Sequence, residues 1–255
     1  MPNKLKQIWA SGGVVLNSWL HIPTGFSAEL VAKAGWDSVT VDLQHGVQDY
    51  MSLVHCLQAI QPHSVVPLAR VPSLEMGIVG KVLDAGALGV ICPMINTAEQ
   101  AEAFVSYCRY PPVGVRSNGP VRAGIYADGG IPGYQKVANQ EILCMPMIET
   151  VEAIGNLESI LAVPGIDAVY VGPTDLCFSL GIAPKVDQED PRLMEALSRI
   201  VEGATRRNIP ACMHCLSPVY AKRMIAMGFK FVTVGWDSIF LGSAALAAVA
   251  TMRGN

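Results

Sequence analysis

The chain has 255 residues, of which 51% are hydrophobic and only 15% charged, with a formal net charge of −3. That balance excludes intrinsic disorder, which needs low hydrophobicity and high charge, and it supplies no global basic field for nucleic acid or an anionic membrane. The length suits one α/β barrel, so residues 1–255 are read as a single domain, and the large apolar share points to surface buried against other subunits.

The first ten residues are polar, with Lys4 and Lys6, and lack the apolar stretch and small-residue cleavage site of a signal peptide. Residues 14–20 form the first apolar run expected to be a strand. At 34–41 a pattern begins that returns at 85–92, 164–171 and 227–234: a small or apolar residue, a glycine, then a β-branched run. Gly35, Gly86, Gly165 and Gly228 each follow helical spacing and are expected to cap a helix in the left-handed conformation. The runs after them are expected to be buried parallel strands. Further apolar runs lie between the copies, at 65–71, 143–148 and 210–216. Eight strands alternating with helices, at roughly 30 residues per unit, predict a closed (β/α)8 barrel. An open doubly wound sheet is the alternative, but no GxGxxG or P-loop follows the first strand.

Residues 111–133, rich in Gly and Pro, break the rhythm and lead toward a short helix at 134–140. A loop of this length is either functional or a surface excursion. The longest uncharged run, 238–252, falls short of the ~18 apolar residues of a membrane span. Seven cysteines are an odd count in a chain this large, which argues for reduced thiols in the cytoplasm rather than a disulfide framework. Cys212-Met213-His214-Cys215 has CxxC spacing, but residues three apart on a strand point to opposite faces, so core packing is favoured over zinc or redox chemistry.

In a barrel the chemistry sits at the C-terminal ends of the strands. Those ends carry Trp19, then Asp42 with Gln44 and His45, then Arg70, Glu149, and Thr174 with Asp175. Glu149 and Asp175 close neighbouring strands, which lie ~4.8 Å apart, so both carboxylates could reach one divalent cation. The competing readings are a salt bridge for Glu149 and a helix cap for Asp175. Arg70 would stabilise a developing enolate, or it is ion-paired with Glu149 or Asp175. His45 is either a proton shuttle or an ordinary loop histidine. Asp84 precedes the fourth strand, at the other end of its own barrel, and could reach a site only from a neighbouring chain. Gly172 and Pro173 precede what reads as a first helical turn, whose free N–H groups at Thr174 and Asp175 can hold a carboxylate. No lysine stands at a strand's C-terminal end, which favours a metal over an imine as electron sink.

The segments Val41-Asp42-Leu43-Gln44-His45-Gly46, Leu83-Asp84-Ala85-Gly86-Ala87-Leu88-Gly89 with Pro93-Met94, Pro111-Pro112-Val113-Gly114-Val115-Arg116, Ile148-Glu149-Thr150 and Gly172-Pro173-Thr174-Asp175-Leu176 together resemble the class II pyruvate aldolases of the HpcH/HpaI (4-hydroxy-2-oxoheptanedioate aldolase) family. The likeness runs over nearly the whole chain. It implies a TIM barrel of the phosphoenolpyruvate/pyruvate superfamily type whose last helix is exchanged between two subunits, and a hexamer built as a trimer of dimers. It implies that Glu149 and Asp175 bind Mg²⁺, Mn²⁺ or Co²⁺, which chelates pyruvate, and that the Thr174 and Asp175 N–H groups hold the pyruvate carboxylate. It further implies that Arg70 steadies the enolate oxygen, that His45 moves protons through a metal-bound water with Asp84 of a partner subunit behind it, and that Trp19 lines the pocket.

Three positions depart from the family pattern. Gln44 stands where Glu is usual, Met147 where Gln is usual, and Thr174 where Ala or Asn is common. The expected function is cleavage of a 4-hydroxy-2-oxo acid to pyruvate and an aldehyde, with small molecules as partners and neither nucleic acid nor membrane. The alternatives are cleavage of a citryl or malyl thioester, decarboxylation of oxaloacetate, or a metal-binding barrel without turnover.

Overall fold

The computed structural model describes residues 2–254, and in it eight parallel strands close into a barrel in sequence order. They are β1 (Val15–Leu20), β2 (Ser38–Asp42), β3 (Val66–Arg70), β4 (Gly89–Cys92), β5 (Leu143–Ile148), β6 (Val169–Val171), β7 (Ala211–Cys215) and β8 (Phe231–Trp236). The helices are α1 (Lys4–Ala10), α2 (Gly25–Ala32), α3 (Tyr50–Ile60), α4 (Met76–Ala85), α5 (Ala98–Cys108), α6 (Gly130–Glu141), α7 (Val151–Gly155), α8 (Leu157–Leu161), α9 (Pro173–Ser179), α10 (Pro191–Arg206), α11 (Pro218–Met227) and α12 (Asp237–Arg253). The closed barrel replaces the open-sheet alternative, since β8 pairs back onto β1. Side-chain oxygens start several helices where the chain leaves the strand ends: Thr24, Asp49, Thr97, Thr150 and Ser217 each accept a backbone N–H of the first turn.

All four glycines of the repeated pattern have positive φ, between 94° and 120°. Only Gly86 and Gly228 cap their helices directly. Gly35 and Gly165 lie further on, past the caps at Lys33 and Ala162, where they turn the chain toward the next strand. Two apolar cores result. The inner one fills the barrel with Val15, Leu68, Met145, Phe231 and their neighbours, and the outer one packs helices on the sheet. Cys212 belongs to the inner core and Cys215 to the outer, as strand alternation requires, and all seven cysteines are free and buried.

Three features go beyond the sequence reading. Helix α1 closes the N-terminal end of the barrel, with Leu5 in the inner core and Asn3 donating to the carbonyls of Leu88 and Glu141. The Gly/Pro-rich segment contains a 3₁₀ turn (Ala123–Tyr126), and the helix after it starts at Gly130, earlier than expected. Because it joins α5 to β5, the segment lies at the N-terminal end of the strands, away from the pocket. Helix α12 runs out with Asp237 as its one buried residue, leaving Phe240, Leu241, Leu246, Val249 and Met252 exposed. No helix among the described residues is long and apolar enough to cross a membrane.

Candidate active site

Register places the first pair. β2 and β3 align so that Asp42 lies opposite Arg70 at their C-terminal ends. Arg70 Nε donates to Asp42 Oδ1 (2.8 Å) and Nη2 to Oδ2 (2.6 Å), a bidentate pair buried at the barrel mouth. This corrects the partner expected for Arg70 should it be ion-paired: the carboxylate is that of Asp42, not Glu149 or Asp175. Burial opposes charge on Asp42, but contacts from His21 and Arg70, and the Arg70 charge, hold its carboxyl far below the usual range. The backbone N–H groups of Gln44 and His45 also donate to Asp42 Oδ1, tying the loop after β2 to the same carboxylate. Arg70 is thus oriented, with its guanidinium 5.0 Å above the Trp19 ring.

Glu149 follows β5 and is buried. Its Oε1 accepts the Met94 N–H at 2.7 Å, and Met94 holds a left-handed backbone (φ 56°) to present it. Such strain in a non-glycine residue is retained at sites where it positions a group. Desolvation is the largest influence on Glu149. With the nearby Asp175 charge it outweighs the Met94 bond and the Arg70 charge, and pushes the carboxyl up to about 7. Gly172 leaves the room Glu149 occupies: a Cβ there would overlap Glu149 Oε2 and lie 2.9 Å from Met147 Cε. Asp175 sits exposed in the first turn of α9, after Gly172 as N-cap and Pro173 at N1.

A pocket of about 320 Å³ opens above these residues. Its wall includes Arg70, His45, Gly172, Pro173, Thr174 and Asp175, so the structure brings six of the expected site residues together. Glu149 lies directly behind Gly172 and Met147. Trp19 is fully buried beneath the pocket, packed against Tyr170 and His214. Asp84 is at the far end of the barrel, where Arg116 Nη2 donates to it at 2.8 Å and stacks over Tyr110 and Tyr134. The sequence reading did not place five of the pocket residues there: His21, Tyr170, Val186, His214 and Trp236. Tyr170 and His214 lie within strands of the predicted set and His21 directly follows one, so a signal for these three was present. A buried polar column supports them. Asn17 accepts from Ser38 and Thr40 and donates to Thr233, whose hydroxyl meets Tyr170 OH at 2.7 Å, and Tyr170 OH meets His214 Nδ1 at 3.1 Å.

No cluster of three or more His, Cys, Asp or Glu suited to a metal occurs among the described residues. The two carboxylates nevertheless fit a hard divalent ion that leaves its other positions to water and substrate. Among the described residues no side-chain cation is bonded to the buried Glu149, since Asp42 holds the Arg70 fork. A bound divalent charge would relieve both its desolvation and its repulsion by Asp175.

Comparison with known proteins agrees with this architecture. The chain is 36% identical over 98% of its length to the hydroxypyruvate/pyruvate aldolase of Rhizorhabdus wittichii, covering 99% of that protein. It is 34% identical to the 2-keto-3-deoxy-L-rhamnonate aldolase of Salmonella schwarzengrund, over 94% of this chain and 89% of the other. A crystal structure of an HpcH/HpaI aldolase/citrate lyase family protein from Burkholderia cenocepacia superposes with a TM-score of 0.91 at 28% identity, covering 98% of this chain and 99% of that one. The family profile described as HpcH/HpaI aldolase/citrate lyase matches residues 18–244, and the chain belongs to that family.

Proposed function

We propose that the protein is a divalent-metal-dependent aldolase that cleaves a 4-hydroxy-2-oxo acid to pyruvate and an aldehyde, and runs the addition in reverse. The carrying observation is the buried carboxylate of Glu149 set beside Asp175 at a pocket that also presents a fixed guanidinium. Glu149 and Asp175 would hold the ion, Mg²⁺, Mn²⁺ or Co²⁺. When bound, it withdraws electron density from the keto oxygen of the substrate. The N–H groups of Thr174 and Asp175 lie in the first turn of α9, where helical partners are lacking, and take the substrate carboxylate. Arg70 faces the oxygen on which negative charge develops, and its orientation by Asp42 is in place before substrate arrives. His45, on the pocket wall, moves a proton to or from the methyl carbon, supported by Asp84 of a partner subunit.

The oligomer is part of the same reading. Beyond its base at Asp237 apolar α12 is largely exposed, and beside that base lies an apolar groove of about 510 Å³ lined by Phe26, Leu30, Trp36 and Phe240. Exchange of α12 between two copies would cover both, and dimers so formed would assemble as a hexamer. The seven free thiols suit the cytoplasm. Thioester cleavage is disfavoured because Arg70 is the one Arg or Lys on the pocket wall among the described residues and is occupied by Asp42, leaving no cation for coenzyme A phosphates.

The test is pyruvate release from the pyruvate–acetaldehyde aldol, 4-hydroxy-2-oxopentanoate, with Mn²⁺ and then with EDTA. Activity should require the metal and vanish in Glu149→Ala with the circular dichroism spectrum unchanged. Full turnover by that variant would refute the assignment.

A further inference from the structure

Three imidazoles line the pocket: His21, His45 and His214. They differ in what holds them. His45 is exposed, and its backbone N–H donates to Asp42 Oδ1. His214 gives Nδ1 to Tyr170 OH, and its burial, with the Arg70 charge, keeps the ring neutral down to about pH 3. His21, immediately after β1, is the one whose ring nitrogen meets a carboxylate. Its Nε2 is buried 3.1 Å from Asp42 Oδ2, within ion-pair distance but off the line of an N–H hydrogen bond, and that carboxylate is fully buried and ionised. Two further contacts fix the ring. The His21 backbone N–H donates to Asp237 Oδ1 at 2.8 Å, and the imidazole packs on Trp236 with centroids 5.5 Å apart. The carboxylate beside Nε2 favours the proton on that nitrogen, which leaves the lone pair on Nδ1, and Nδ1 has no hydrogen bond to protein among the described residues.

Resting on the aldolase reading above, we propose that His21, oriented by Asp42, is the general acid–base group at the aldehyde end of the substrate, separate from the group that serves the pyruvate methyl. In cleavage, His21 Nδ1 takes the proton of the C4 hydroxyl. The O–H bond breaks and C4 becomes a carbonyl. The C3–C4 bond electrons pass into C2–C3 as the enolate of pyruvate, whose charge Arg70 faces. C3 then takes a proton from solvent by way of His45, and His21 returns its own to solvent. The net reaction converts one 4-hydroxy-2-oxo acid to pyruvate and an aldehyde with no further reactant. Asp42 therefore serves two groups, holding the Arg70 fork with both carboxylate oxygens and facing His21 with Oδ2.

The two half-reactions separate this assignment from a structural role. Exchange of the pyruvate methyl protons with D₂O, in full-length protein with Mn²⁺, needs only enolisation. Cleavage of 4-hydroxy-2-oxopentanoate also needs proton transfer at C4. His21→Gln should lower kcat for cleavage by about 10²-fold or more while methyl exchange stays within about twofold of wild type. Cleavage by His21→Ala should recover in part when imidazole is added. Cleavage within about threefold of wild type in His21→Gln, or a parallel loss of both half-reactions with no imidazole rescue, would overturn the assignment. Absence of metal-dependent methyl exchange in the wild-type protein would instead remove the aldolase reading, and His21's role with it.

Discussion

Gly172 owes its identity to space rather than to backbone conformation, since its φ of −93° is open to any residue. The space is filled by Glu149, so Gly172→Ala should displace that carboxylate. The expected outcome is an apparent Mn²⁺ affinity and a turnover each lower by about 10-fold to 100-fold at unchanged helicity, read by metal titration and pyruvate release. His214 makes a prediction about stability. Its folded pKa of about 3 lies below the ordinary 6.5, chiefly from burial and then from Arg70. The unfolded chain therefore binds this proton first as pH falls, and the native state loses stability between pH 6.5 and 3, with no contribution above. In thermal melts from pH 7 to 4, His214→Gln should have a shallower acid limb than wild type, by on the order of a few kcal/mol at pH 4. An unchanged limb would show that the ring is protonated in the native state. At this scale the sequence was partly legible. His45, Arg70, Thr174 and Asp175 were readable because each follows an apolar run at a strand's C-terminal end. The donor from Met94 depends on a left-handed backbone that residue type does not announce. The Asp42–Arg70 pair needed the register of β2 against β3.

The strands were legible because parallel barrel strands, buried on both faces, leave continuous apolar runs bounded by glycine. β1, β3, β5 and β7 appear within one residue of their expected bounds, and β2, β4, β6 and β8 form in the runs that follow Gly35, Gly86, Gly165 and Gly228. Helix α1 was not, since seven residues with two lysines carry no apolar stripe wide enough to read; its role is to plug the barrel with Leu5. Helix α12 was legible as apolar but not as unpartnered, because periodicity says nothing about what covers a helix. Its exposed side chains are the clearest unsatisfied feature of any element. Leu246 stands 74% exposed at the middle of α12. If α12 is exchanged between copies as proposed, Leu246→Glu should give smaller species than wild type by light scattering on a sizing column, with the barrel's melting little changed. A wild-type protein already monomeric at micromolar concentration would contradict the exchange of this helix.

Across the whole molecule, the residues expected to form the site are found at two ends. Glu149, Arg70 and Asp175 gather at the C-terminal end of the strands, while Asp84 is clamped by Arg116 near the N-terminal end, with Tyr134 and the Gly/Pro-rich segment around it. That carboxylate is a quarter exposed and does not line its own barrel's pocket. If it completes the site of a neighbouring copy, each working site draws Glu149 from one chain and Asp84 from another. Glu149→Ala and Asp84→Ala should then each be inactive alone. Co-expressed in equal amounts they should form mixed oligomers in which a random site receives an intact Glu149 and an intact Asp84 about a quarter of the time. Recovery to about a quarter of wild-type kcat, absent when the separately purified variants are mixed without subunit exchange, would establish the shared site. Activity in Asp84→Ala alone at wild-type level would show instead that the Asp84–Arg116 pair only braces the loop that carries it.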